Sequence, residues 1–166
     1  TYTSYGDYTI KCNGTTMTTS TRGGLFGQKS GLVNYYCTSA RFATVTSIGD
    51  YAFYYCYSLT NIVIPNGVTS IDEGSFSNCN PLTSVVIPVS VTNIRNSVFY
   101  YCNSLMNIVI PNGVTILGSS AFYGCYSLTN IVIPNSVTRI GYNVFYECHS
   151  LAKVIISSNV TIIDIS

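Results

Sequence analysis

From about residue 45 onward, the hydrophobic and polar positions come in short alternating bursts rather than long stripes. In LTNIVIP, Leu59, Ile62 and Ile64 fall on one face and Asn61 and Val63 on the other, the period of two of a half-buried strand. Pro65 then ends the pairing, because it has no N–H for a ladder. Asn66-Gly67, like Asn112-Gly113 further on, follows as a turn pair that tolerates positive φ. VTSI, from Val68 to Ile71, reads as a second short strand on the next side of a coil. SAFYGC, from Ser120 to Cys125, is too short for a full helix and predicts one turn of 3₁₀ or α.

The burst repeats. Proline recurs at 65, 88, 111 and 134, cysteine at 56, 79, 102, 125 and 148, phenylalanine at 53, 76, 99, 122 and 145, and leucine at 59, 82, 105, 128 and 151, always 23 residues apart. A unit of that length cannot bury a core alone, whereas stacked copies bury a continuous one, each touching only its neighbours. The pattern predicts a β-rich solenoid over residues 45–166, five full units and a partial sixth. Residues 1–44 break the period. YTIKC alternates like a strand, and NGTTMTTSTRGGLFGQKSG is polar and turn-rich, which is the character of an N-terminal cap over the first open edge of the core.

The stretch SIGDYAFYYCYSLTNIVIP resembles the BspA-type leucine-rich repeat, and the resemblance runs through five consecutive units. It implies a right-handed leucine-rich-repeat stack with a parallel sheet along one side and short 3₁₀ or helical turns. It also implies that family's habit of cell-surface or secreted binding and adhesion in bacteria and some protists. It offers no catalytic residue to carry over.

Charge narrows the partners. With 8% charged residues and a net charge of +1, the chain lacks the basic face that nucleic acid requires, and equally the one that would hold it to an anionic membrane. No apolar run approaches the roughly 20 residues of a membrane-spanning helix. Fifteen tyrosines with abundant Thr, Ser and Asn give an uncharged but wettable exterior. The chain starts at Thr1 without a signal peptide, which fits a removed leader or a fragment.

The seven cysteines divide in two. Rungs about 4.8 Å apart put the five ladder cysteines within disulfide distance. Their parallel Cβ vectors, however, oppose the convergence a disulfide needs, so they read as buried packing thiols. Thiolate metal sites gather ligands around one point, so no metal column is expected. Cys12 and Cys37, outside the repeats, read as one disulfide of a secreted protein, or else as two free thiols.

Catalytic chemistry finds no constellation. His149 occupies a variable turn position shared with Tyr57, Asn80, Asn103 and Tyr126, the place of a surface residue. Asp72 and Glu73 are adjacent in a turn, which suits solvation better than an opposed acid pair. No phosphate loop or zinc spacing is present, so no cofactor is expected and the chain is read as a non-enzyme. Asn13-Gly14-Thr15 and Asn159-Val160-Thr161 match the N-glycosylation pattern, for which chance is the default source.

The outward strand positions form columns that carry the functional expectation. One is Asn61, Ser84, Asn107, Asn130 and Lys153, and the next is Val63, Val86, Val109, Val132 and Ile155. A third is Thr60, Thr83, Met106, Thr129 and Ala152. An exposed aliphatic stripe marks a contact surface, or else simply reflects the fitness of β-branched residues for strands. The columns vary little, which suits a repetitive partner or a structural role. Two readings follow. The first is an extracellular or surface protein that binds or adheres to another protein, a host or matrix component, through the sheet face. The second is a subunit that polymerises end to end into a filament, with Val160, Ile162, Ile163 and Ile165 at the contact. SSNVTIIDIS stops inside the sixth unit, which fits a truncated chain, a frayed end or an end covered by another copy.

Overall fold

The computed structural model describes residues 8–12, 15–19, 40–42 and 46–164. The first strands are β1 (Tyr8–Cys12), β2 (Thr15–Thr19) and β3 (Ala40–Phe42), an antiparallel sheet in the order β2-β1-β3. The coil follows, with one or two short strands per unit. β4 (Ser47–Ile48) and β5 (Asn61–Val63) form the first unit, and β6 (Ser70–Ile71) and β7 (Ser84–Val86) the second. β8 (Asn93–Ile94) belongs to the third, and β9 (Ile116–Leu117) and β10 (Asn130–Ile133) to the fourth. β11 (Arg139–Ile140) and β12 (Lys153–Ile156) form the fifth, and β13 (Ile162–Ile163) opens the last. β3 lies against β5, where the antiparallel sheet meets the coil.

The Val-Thr-x-Ile strands line one continuous parallel sheet, ordered β13-β11-β9-β8-β6-β4, with Ile71 opposite Ile94 and Ile140 opposite Ile163. The Ile-x-Ile strands line a second side in two parallel pairs, β5-β7 and β10-β12. Between the pairs, the third unit contributes only the bridge from Asn107 to Asn130. The structure is therefore a parallel-sheet solenoid, with its units in register at the 23-residue period.

Side chains at equal repeat positions stack inside. Phe53, Phe76, Phe99 and Phe122 are fully buried, with successive ring centroids 5.0, 5.6 and 5.4 Å apart, and Phe145 continues the stack at 5.8 Å. The rings lie within 13° of parallel, the arrangement that a shared translation imposes. Leu59, Leu82, Leu105 and Leu128 make a second buried column, and Ile62, Ile64 and their equivalents fill the space toward the strands.

The segment that carries Phe and Cys differs from the helical turn predicted for it. No helix forms among the described residues. Instead the chain makes successive four-residue turns, with Tyr54 N–H donating to Tyr51 C=O and Cys56 N–H to Phe53 C=O. Two residues per unit adopt the left-handed conformation and stop the turns from continuing as a helix. They are Tyr51, Gly74, Ser97, Ser120 and Asn143 in one column and Tyr55, Asn78, Tyr101, Gly124 and Glu147 in the other. Their consequence is a row of N–H groups facing the next unit. Tyr51, Phe53 and Tyr55 donate to the carbonyls of Glu73, Ser75 and Ser77 at 2.7–3.0 Å, and Gly74, Phe76 and Asn78 repeat this one unit on. On the Val-Thr-x-Ile side the sense is reversed. The N–H groups of Thr69, Thr92, Thr115, Thr138 and Thr161 each donate back to the threonine carbonyl of the preceding unit, and their hydroxyls donate to the same oxygens.

The proline turns also differ from expectation. They close by a bond from Val68 N–H to Pro65 C=O and its equivalents, and no residue between them has positive φ. Gly113 is required for space instead, since a Cβ there would lie 2.8 Å from the Val89 carbonyl oxygen.

Candidate interaction surfaces

The strand side presents the expected columns outward. Val63, Val86, Val109, Val132 and Ile155 are between 45% and 80% exposed, and Asn61, Ser84, Asn107, Asn130 and Lys153 stand exposed beside them. Of the third column, Thr60, Thr83, Met106 and Ala152 are exposed and Thr129 is half-buried. The aliphatic surface is broadest around the second and third units. There Val89, 79% exposed, takes the position held by Asn66, Asn112 and Asn135, and Met106 is exposed in the third unit. This widening falls where the strand pairing between β7 and the third unit is interrupted.

At the last rungs, Val154, Ile155, Ile156, Ile162 and Ile163 are exposed, while Val160 packs in part against the core. Ile165 lies outside the described residues. So do Cys37 and Asn13, and with them the expected disulfide to Cys12 and the first sequon. The amide nitrogen of Asn159, the atom a glycan would occupy, donates to the Asn135 carbonyl at 2.9 Å on an exposed turn.

The ladder cysteines carry no disulfide among themselves. The thiols of Cys79, Cys102, Cys125 and Cys148 each donate to the Phe carbonyl 26 residues earlier, at 2.9–3.1 Å. Burial pushes the Cys79, Cys102 and Cys125 thiols far up, because a thiolate there would lose its hydration. For the partly exposed Cys148 the same cause gives a pKa of about 11. Burial thus favours the neutral, packing form of these thiols, least so at the partly exposed Cys148.

Asp72 contradicts the solvated-turn expectation. It is buried at 7% exposure, and Arg95 Nε pairs with its carboxylate at 3.0 Å. Burial raises its pKa, opposed by the Arg95 charge and reinforced by Asp50. Glu73 stays at the surface, where its carboxylate accepts from the Tyr51 hydroxyl at 3.1 Å.

The third side of the coil carries a feature that no sequence expectation anticipated. The Tyr101 hydroxyl donates to Glu147 Oε2 at 3.1 Å across two units. The ring reaches that far because the intervening residue in the same column is Gly124, where a Cβ would lie 2.4 Å from Tyr101 Cδ1. Tyr126 donates to the same carboxylate oxygen at 3.4 Å. His149, expected as a surface turn residue, is exposed and stacks on Tyr126 at 5.4 Å. Tyr100, Tyr123 and Tyr146 stack alongside at 4.9 and 5.1 Å. Burial and the Glu147 hydrogen bond push the Tyr101 phenol up. The Tyr51–Gly74–Glu73 group repeats the ring-over-glycine arrangement, with a Cβ at Gly74 only 2.3 Å from Tyr51 Cε1.

With this geometry in hand, comparison with known proteins is decisive. The BspA type leucine rich repeat region matches residues 46–166 in six copies. The chain belongs to that family. Among solved structures, it is similar to a leucine rich cell surface protein from Faecalibacterium prausnitzii, at 38% identity and TM-score 0.66, over 69% of this chain and 30% of that one. A Treponema pallidum leucine rich repeat protein is similar at 28% identity and TM-score 0.66, over 77% of this chain and 66% of that one. A Bacteroides ovatus leucine-rich repeat protein is similar at 29% identity and TM-score 0.67, over 90% of this chain and 40% of that one. No curated protein matches. The match spans about a third of the length of the Faecalibacterium structure. The Faecalibacterium structure is that of a cell surface protein.

Proposed function

We propose that this BspA-type solenoid is a non-enzymatic adhesion module displayed at the cell surface or secreted, and that it grips a protein partner through the Ile-x-Ile strand side. The supporting observation is the unbroken outward column Val63, Val86, Val109, Val132 and Ile155, flanked by the polar column that begins at Asn61 and includes Asn107 and Asn130. Contiguous aliphatic surface of this kind is uncommon on a monomer and gains roughly 25 cal/mol per Å² when covered. Residues 1–44 serve as the cap that closes the first edge, in keeping with the contact of strand β3 on β5. The test is binding of the purified chain to a panel of immobilised matrix proteins, with Val86→Asp/Val109→Asp as the probe. Saturable binding that the double variant loses, at unchanged melting temperature, supports the reading. Binding that the variant retains assigns the contact elsewhere.

The exposed aliphatic rungs at Ile162 and Ile163 favour a second reading, in which the last rung of one copy meets the cap of the next and a filament grows. Val160 and, outside the described residues, Ile165 would complete that contact. Light scattering at high concentration separates the two, since Ile163→Lys should abolish assembly while the monomer stays folded. A wild type that stays monomeric, or a variant that assembles equally, removes the filament.

A further inference from the structure

The tyrosine side offers a second and chemically different site. Glu147 places a carboxyl group in a half-buried position, yet neither ion pair among the described residues involves it. Among the described residues its carboxylate accepts from two phenols, both on Oε2. A carboxylate has about four acceptor positions, so two neutral hydroxyls leave capacity for a further donor. Around it the rings stand edge to face. Tyr101 is 5.4 Å from Tyr123 at 69° and 5.8 Å from Tyr126 at 70°. Mutually perpendicular aromatic rings beside an uncompensated carboxylate suit an organic cation, whose charge the carboxylate meets and whose C–H shell the ring faces attract. A hydrated metal ion fits less well, because the described residues bring no group of three acidic, histidine or cysteine ligands together.

The arrangement also depends on the residue that each unit places in this column. Glu147 adopts φ of 58°, in the left-handed column that also holds Tyr55, Asn78, Tyr101 and Gly124, and is the one acidic residue among them. Gly124 in turn is the opening through which Tyr101 reaches the carboxylate.

We propose that Tyr101, Tyr126 and Glu147, with His149 at the rim, form a recognition site for an alkylammonium group. The site is independent of the aliphatic strand side. Two sources share this chemistry, a lysine side chain of a partner protein and a small quaternary amine. The test is a proton NMR titration of the purified chain with tetramethylammonium chloride and, separately, with Nα-acetyl-lysine methylamide, each against sodium chloride at equal concentration. Saturable shifts of the Tyr101, Tyr126 and His149 ring protons are expected, and the tighter probe identifies the source. Glu147→Asn is the diagnostic variant, because Asn78 already occupies this backbone conformation in the second unit. It should weaken binding by at least about fivefold with the melting temperature little changed. His149→Ala should weaken it less. Shifts equal to those from sodium chloride, or undiminished binding by the Asn variant, overturn the proposal.

Discussion

Tyr101 and Glu147 share one repeat position, stand 46 residues apart, and are joined by a 3.1 Å hydrogen bond over a glycine. Replacing that glycine tests the geometry. Gly124→Ala places a methyl group against the Tyr101 ring and strains a backbone at φ of 67°. The two penalties together should lower stability by about 1–3 kcal/mol. Only the first should disappear in a Tyr101→Ala background, so denaturant melts of the four proteins should show coupling. Additive effects would mean that the ring does not rest on Gly124.

The phenylalanine column should carry much of the stability. Phe99 is fully buried and stacked on both sides, by Phe76 and by Phe122. Phe99→Ala leaves a cavity that rigid rungs above and below cannot close, and should cost about 3–5 kcal/mol. A loss below about 1 kcal/mol, measured by urea denaturation, would contradict this packing.

Thiol reactivity should follow exposure. With iodoacetamide on the native protein at alkaline pH, Cys148 should react first among the ladder cysteines, having a pKa of about 11 and partial exposure. Cys79, Cys102 and Cys125 should react only on unfolding, since burial disfavours their thiolates. Peptide mapping that finds Cys102 labelled as early as Cys148 would show that the stack opens in the middle.

Asp72 should make stability depend on pH. Its folded pKa is raised by burial, so the native state holds this proton more tightly than the unfolded chain does. Its contribution is therefore fully present below the ordinary carboxylate range and is lost as pH rises through the elevated value. Thermal melts across the acid range should show wild type losing stability relative to Asp72→Asn as pH increases. A constant difference between the two proteins would mean that the Arg95 pairing holds the pKa at its ordinary value.

The coil was legible in the sequence because translation by 23 residues puts identical side chains in contact. Phe76, Cys79 and Leu82 declare their burial by recurring. The burial of Asp72 was less visible, although its column reads Gly49, Asp72, Arg95, Gly118 and Gly141. At Gly118 a Cβ would come within 2.4 Å of the Arg95 backbone, so that column marks a close approach rather than a solvated turn. The Tyr101–Glu147 bond escaped because it joins non-adjacent units. Its signal was the succession Tyr101, Gly124, Glu147, in which the middle residue vanishes. Helical turns were expected at SAFYGC because left-handed conformations at tyrosine, serine and glutamate are not written in residue preference. Stacking enforces them, by drawing alternate N–H groups toward the following unit.

That row of forward-facing donors has an electrostatic consequence for length. In an α-helix every peptide dipole points the same way, so partial charge gathers at the two ends. Here the peptides of the turn side donate toward the following unit, at Tyr51, Phe53 and Tyr55, whereas those at Thr69, Thr92 and Thr115 donate toward the preceding one. The two rows oppose each other along the axis. Adding or deleting whole units therefore adds opposed rather than aligned dipoles, unlike the lengthening of a helix, and a chain built this way is free to vary its reach.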